Sequence, residues 1–327
     1  MAEYKGIKGF KVQYLSADPS NPIIGQTWYN STSKNLKYTE LQAAAWATGG
    51  NLPVAKRAMY AAGTQTAALS AGGTPPSPPS AVTTSEEYNG SSWSGGGSMA
   101  TGRHSGRGAG TLTAAVIFGG SNAFTYIGDT EEYNGTSFSP GGSMSTGRVN
   151  MGNAGTQTAA LAWAGNGNTA PTNVTEEYNG STWSGGGTFP SPSGAVMAGG
   201  GTQTAGLAFG YSAGPVMSGA TLSYDGSAWT ILPASLNNAR YAGTGFGTQT
   251  AAVAVAGTDD TTTFSATEEY DGISWTSSTN LSTARTSLGG VGTRSAGLVY
   301  GGYIPPTTAI TEEWTGPGPA TKTITVS

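Results

Sequence analysis

The chain has 327 residues, a formal net charge of −4, one histidine and no cysteine. These counts exclude disulfides, thiolate metal centres and His-cluster zinc or copper sites, and they leave no broad basic surface for nucleic acid. With 53 glycines and only 10% charged residues, the composition suits short strands joined by tight turns, since glycine supplies φ > 0 there and costs about 1 kcal/mol relative to alanine inside a helix.

From the N-terminus, MAEYKGIKGFKVQ carries no apolar h-region, so no secretory signal is read and synthesis is placed in the cytoplasm. No apolar run reaches the roughly 20 residues that cross a bilayer, so no membrane insertion is expected. Residues 1–35 are read as an N-terminal arm for attachment or oligomerisation. AAAWATGGNLPVAKR (43–57) matches SSWSGGGSMATGR (91–103). It is read as an orphan outer strand placed ahead of the first full repeat.

Two phrases then alternate six times. The first has its aromatic anchor at Tyr88, Tyr133, Tyr178, Tyr224, Tyr270 and Trp314, at separations of 44 to 46 residues. The second is GTQTAAL (63–69) and its relatives at 110, 155, 201, 247 and 292. In 148–187, RVNMGNAG, TQTAALAWAG, VTEEYNG and STWSGGG read as four strands. The Asn-Gly between the last two predicts a two-residue type I′ hairpin. Four antiparallel strands per repeat of this length define a propeller blade. The expected fold is therefore all-β, a six-bladed β-propeller over 36–327. Its small inner strands crowd the axis and its hairpin aromatics wedge between blades. Closure is expected through residues near Trp46 as the outer strand of the last blade. The alternative count is seven, with GQTWYN, LKYTE and AAAWAT joining the C-terminal TKTITVS.

Five repeats carry an arginine before the first strand, Arg57, Arg103, Arg148, Arg240 and Arg285, and five carry a glutamate pair before the anchor. The repeat at 191–229 lacks both, with Gly194, Leu222 and Ser223 instead. The joint loss predicts that each arginine pairs with one glutamate, in a structural network of those arginines with Glu87, Glu132, Glu177, Glu269 and Glu313. No residue set stands out as catalytic, and neither cofactor nor metal is expected.

The strands ending in Gly-Gly (VIFGG 116–120, LVYGG 298–302), the following E-x-Tyr-Asn/Asp-Gly and the Trp five residues past the Tyr resemble the kelch repeat. More closely, GTQTAAL, TEEYNGSSW and the TAR phrase resemble kelch-like propeller proteins of marine tailed bacteriophages. NPIIGQTWYNSTSKNLKY (21–38) resembles the lead-in of phage fibre and appendage proteins. The resemblance covers nearly the whole chain. It implies a non-enzymatic virion protein, a tail fibre, appendage or capsid decoration. Its arm would contact other virion proteins or build a homo-oligomer, and its propeller would meet a host surface glycan or protein.

The loops between second and third strands differ among repeats while their flanks do not, which is where binding resides on a repeated scaffold. Phe124, Tyr126, Tyr211, Phe264 and Tyr303 are the candidate ligand-binding aromatics, and Asp259 with Asp260 a weak cation candidate. Two alternatives are a sialidase-like glycan-active enzyme and a cellular kelch-type adaptor. SYDGSAW (223–229) falls one residue short of an Asp-box turn.

Overall fold

The computed structural model describes residues 12–77, 80–122, 125–192, 194–196, 199–213 and 216–324. Among them there is no helix. The chain divides into two units, Met1–Ala45 with Gly316–Ser327, and Trp46–Thr315. The division differs from the expected 1–35 and 36–327, because the last strand belongs with the N-terminal segment.

In the small unit, Gln13–Leu15 runs parallel to Thr27–Asn30, which pairs antiparallel with Asn35–Gln42, which pairs in turn with Gly318–Thr323. Asp18 holds this unit together. It accepts from Trp28 Nε1 at 2.9 Å, Asn30 Nδ2 at 2.7 Å and Lys37 Nζ at 2.6 Å. These donors, Lys37 first, hold its carboxyl down to about 2.

In the large unit each repeat forms an antiparallel sheet. The third is representative, with strands Gly152–Thr156, Ala159–Trp163, Thr175–Tyr178 and Trp183–Gly185 in that order. The fourth differs: its middle strands, Ala205–Ala213 and Val216–Tyr224, are longer, and Ala195–Val196 joins its edge. In the sixth, Gly289–Gly292, Ala296–Tyr300 and Thr311–Thr315 are completed by Ala45–Thr48. The strand holding Trp46 thus supplies the fourth strand of the last sheet. The architecture is a propeller-like all-β fold.

The six first strands contact one another in sequence: Tyr60–Thr64, Arg107–Thr111, Gly152–Thr156, Gly200–Thr202, Thr244–Thr248 and Gly289–Gly292, with the last returning to the first. Their small residues follow from this crowding. A Cβ on Gly108 would stand 2.7 Å from the Ala61 carbonyl of the preceding strand, and one on Gly200 would stand 2.8 Å from that of Gly247.

The hairpin aromatics fill the seams. Trp93 packs on Tyr300 of the preceding sheet, Trp183 on Phe118, Trp229 on Trp163 and Trp275 on Phe209, with ring centroids 4.7 to 5.0 Å apart. Each indole N–H also donates to a threonine hydroxyl of the preceding sheet: Trp93 to Thr311, Trp183 to Thr130, Trp229 to Thr175 and Trp275 to Thr221. Trp46 does the same with Thr267 of the fifth sheet. A buried indole needs such a partner. Where Phe138 replaces tryptophan, the threonine position holds Ser85, whose hydroxyl turns to the Gly97 carbonyl instead.

The hairpins are not two-residue type I′ turns. Tyr178 pairs with Trp183, so four residues form the loop, and of Asn179 and Gly180 only the glycine has positive φ (88°). Asn179 Oδ1 accepts the amides of Ser181 and Thr182, both at 2.9 Å. The Asn179 amide also donates to the Thr182 carbonyl at 3.2 Å, so side chain and backbone close the turn together, as in Asx-turns.

Candidate functional site

The repeated charges are interior supports. Arg103 bonds Glu131 at 2.8 Å, Arg148 bonds Glu176 at 2.8 Å, Arg285 bonds Glu312 at 2.7 Å, and Arg240 bonds Glu268. All four arginine side chains are buried. Desolvation pushes the Arg148 guanidinium down to about 10 against the pull of Glu176, so it stays charged at neutral pH. In the first repeat the pairing cation is Lys56, 2.5 Å from Glu86, and not Arg57. The one-residue displacement is legible in hindsight. Counting seven back from the glycine of the GTQT phrase reaches Lys56, Arg103, Arg148, Gly194, Arg240 and Arg285.

The glutamates are corrected as well. It is the first of each pair that meets the cation. Successive strand residues face opposite sides of a sheet, so the second meets the neighbouring blade. Glu132 accepts from Tyr178 at 2.8 Å, Glu177 from Tyr224 at 2.6 Å, Glu313 from Tyr88 at 2.5 Å, and Glu87 from Tyr133. Glu269 takes Arg294 at 3.0 Å instead. The GTQT glutamine is a further seam residue: Gln157 Nε2 reaches the carbonyls of Ala115 and Tyr133 in the preceding sheet, each at 3.0 Å.

Of the loop aromatics, Phe124 lies outside the described residues. Tyr211 is only 8% exposed and packs edge-on against Phe189, so it belongs to the core. It lies in the strand Ala205–Ala213, where it pairs with Val196. Phe264 is half-buried beneath the Arg240 guanidinium. Tyr126 is half-buried, and its backbone bonds Asn168 of the next repeat. Tyr303 is 37% exposed and carries the Arg57 guanidinium 4.6 Å above its ring. Asp259 is spent on its own turn, accepting the amides of Thr261 and Thr262, while Asp260 accepts from Tyr241. Among the described residues no group of three or more His, Asp or Glu is placed to hold a metal ion.

The structure brings together a different set. Ala58, Ser105, Asn150, Ala242 and Ser287 have φ of 54° to 60°. This is the left-handed region that non-glycine residues seldom occupy. In it the Ser105 amide reaches the Ala58 carbonyl, Asn150 reaches Ser105, Ala58 reaches Ser287, and Ser287 reaches Ala242, all at 2.8 Å. The residue preceding each ring position bridges to the start of the variable loop: Arg57 to Thr74, His104 to Ser121, Tyr241 to Thr258 and Thr286 to Tyr303. Variable loops and backbone ring therefore share one face.

A cavity of about 290 Å³ opens within this ring, lined by those five residues, Ala195 and a second layer that includes Arg107, Tyr241 and Thr286. At its rim stands the only histidine, His104, with Nδ1 2.8 Å from the Ser105 hydroxyl. Burial, and then the nearby Arg57, push its pKa below the usual range, so the ring is neutral at pH 7 and able to accept a proton. One cavity at the convergence of all six repeats, lined with hydroxyl and amide groups, meets the general description of a ligand site.

No family model and no curated protein matches the chain. Among solved structures, one described as "Structure of YjhT" is similar, with a TM-score of 0.67 and 14% identity over 82% of this chain and 96% of that one. At this identity the likeness establishes the shared fold. It also corrects one expectation. The chain was expected not to be an enzyme, both from the virion resemblance and from the lack of a catalytic set, whereas the structural likeness is to YjhT, and Ser105 of the cavity lining meets His104 Nδ1 at 2.8 Å. The virion resemblance therefore no longer supports an absence of catalysis.

Proposed function

We propose that the chain is a six-bladed, kelch-like β-propeller that recognises a carbohydrate-class ligand in the axial cavity of its loop face. The observation that carries this reading is the cavity itself. Ser105, Asn150, Thr286 and Ser287 offer it hydroxyl and amide groups from three repeats. At about 290 Å³ it lies at the small end of ligand clefts, roughly 300 Å³, which suits a single sugar ring. Tyr303 and Arg57 stand on the same face as a stacking platform and a cation. The six-blade count is supported by the cycle of first strands.

The repeat phrases support placing this propeller on a tailed-phage particle, attached through its N-terminal segment to other virion proteins. Turnover of the bound sugar is a second reading, favoured by the neutral His104 beside the Ser105 hydroxyl.

A glycan array gives the first test. Binding is expected and should be lost in Asn150→Leu, whereas binding to no glycan would sink the reading. Incubating the bound glycans with the protein and analysing them by mass spectrometry tests turnover. Proteomics of purified particles with immunogold labelling tests the location.

A further inference from the structure

The seams are not built alike. Between the second and third repeats stand three devices: a glutamine bonding two carbonyls, an indole donating to a hydroxyl, and two large rings in contact. Between the first and second repeats all three are missing. Leu112 holds the glutamine's place and can donate to neither Ala68 nor Tyr88, whose carbonyls correspond to those that Gln157 meets. Phe138 holds the tryptophan's place without an N–H, and the Ser85 hydroxyl is spent on Gly97. In the same core Ala71 stands where the neighbouring repeats supply Tyr300 and Phe118. The seam between the fifth and sixth repeats also lacks the glutamine, but there Arg294 takes Glu269 and Trp46 donates to Thr267, each at 3.0 Å. Other bonds do cross between the first and second repeats, among them the Tyr60 hydroxyl to the Gly119 carbonyl at 2.6 Å and Tyr133 to Glu87.

This seam reaches the axial cavity. Ala58 and Met59 of the first repeat and Ser105 and Arg107 of the second are part of its lining. The bond from the Ser105 amide to the Ala58 carbonyl joins the two repeats there at 2.8 Å. Local opening costs the contacts that it breaks, so a seam with fewer of them opens more often than its neighbours.

We propose that the fold yields first between its first and second repeats, and that this opening widens the axial cavity between Ala58 and Ser105. Such opening does not depend on what the cavity binds. It goes beyond the carbohydrate reading, and either can fail without the other.

The chain has no cysteine, so a single introduced thiol can report each seam in turn. Ala68, Ala115, Ala160 and Ala252 occupy one position of the repeat and are fully buried. Ala115 sits in the core between the first and second repeats, and the other three sit in the cores of three other seams. Each is changed to cysteine in the full chain and reacted with an aromatic disulfide reagent under native conditions. Ala115→Cys is expected to label about tenfold faster than the others, the ratio that one or two missing hydrogen bonds produce. Adding Leu112→Gln, the residue found as Gln65, Gln157, Gln203 and Gln249, should slow it about tenfold. Phe138→Trp with Ser85→Thr should slow it as well.

Amide exchange followed by NMR reads the cavity end. The amides of Ser105, Ala58, Ser287 and Asn150 make matching 2.8 Å bonds across different seams. Ser105 should be about tenfold less protected than the other three, and Leu112→Gln should restore its protection. Equal labelling of all four cysteines would overturn the inference. So would fast labelling of Ala115→Cys that Leu112→Gln and the tryptophan–threonine exchange both leave unchanged. Fast labelling with four equally protected amides would overturn the widening of the cavity.

Discussion

Gln65, in the first sheet, donates its Nε2 to the Trp314 carbonyl of the last sheet at 2.7 Å and to that of Gly297 at 3.1 Å. Gln157, Gln203 and Gln249 make the same pair of bonds across interior seams. The seam joining the two ends of the repeat array is therefore built like those between consecutive repeats. Leu112 and Arg294 take the glutamine's place in the second and sixth repeats.

Gln65→Leu, a residue the second repeat already accommodates, should lower unfolding free energy by about 1–3 kcal/mol, because two carbonyls lose their partner. Gln157→Leu should do the same. Urea denaturation measures both. An effect at Gln157 with none at Gln65 would show that the closing seam does not form in solution.

The first repeat tests which cation matters. Lys56→Ala leaves the buried Glu86 carboxylate alone and should cost about 3–5 kcal/mol. Arg57→Ala removes only a half-exposed contact over Tyr303 and should cost about 1 kcal/mol or less. Thermal melts of the two variants should rank accordingly, and the reverse order would return Arg57 to the network.

Adjacent glutamates should behave unequally. Glu176→Gln uncouples Arg148, a fully buried guanidinium, and should cost about 3–5 kcal/mol, as should Arg148→Ala. Glu177→Gln keeps an acceptor for the Tyr224 hydroxyl and should cost about 1 kcal/mol. Similar values for the two glutamines would contradict the division of labour between the faces of the strand.

Alkaline stability follows from the seam tyrosines. Burial, and then the glutamate beside each hydroxyl, raise Tyr88, Tyr178 and Tyr224 to about 12 from an ordinary 10. Between those values the unfolded chain has released protons that the folded chain retains, so stability falls as pH rises. It is fully present below pH 10 and drains away toward pH 12. Denaturation at pH 9 and 11.5 should show the fall, and Tyr178→Phe should reduce it. A flat profile would mean that these hydroxyls ionise freely in the folded state.

The repeat period, the hairpin positions, the small inner strands and the aromatic wedges were readable in the chain. Each depends on neighbours within a few residues or on a pattern copied six times, and Trp46 was recognisable as a displaced fourth strand because it repeats the phrase around Trp93. The turn type is not legible from Asn-Gly alone, because the Asn179 side chain adds its own bonds to the loop and spreads it over four residues. Arg57 matches the other repeats in residue type, but register places Lys56 against Glu86. Tyr211 reads as a ligand contact because an aromatic in a variable segment looks exposed, whereas it sits in the strand Ala205–Ala213 with its ring against Phe189.

Local order, then, is written in the residues: a 45-residue rhythm of strands and turns needs only short-range contacts to declare itself. The partner of each carboxylate and the cavity ringed by Ser105, Asn150 and Ser287 were settled only by the closed assembly. Which face of a strand meets which neighbour, and which backbone atoms converge from residues 58 to 287, depend on how the sheets of successive repeats pack on one another. No segment of the chain carries that information alone.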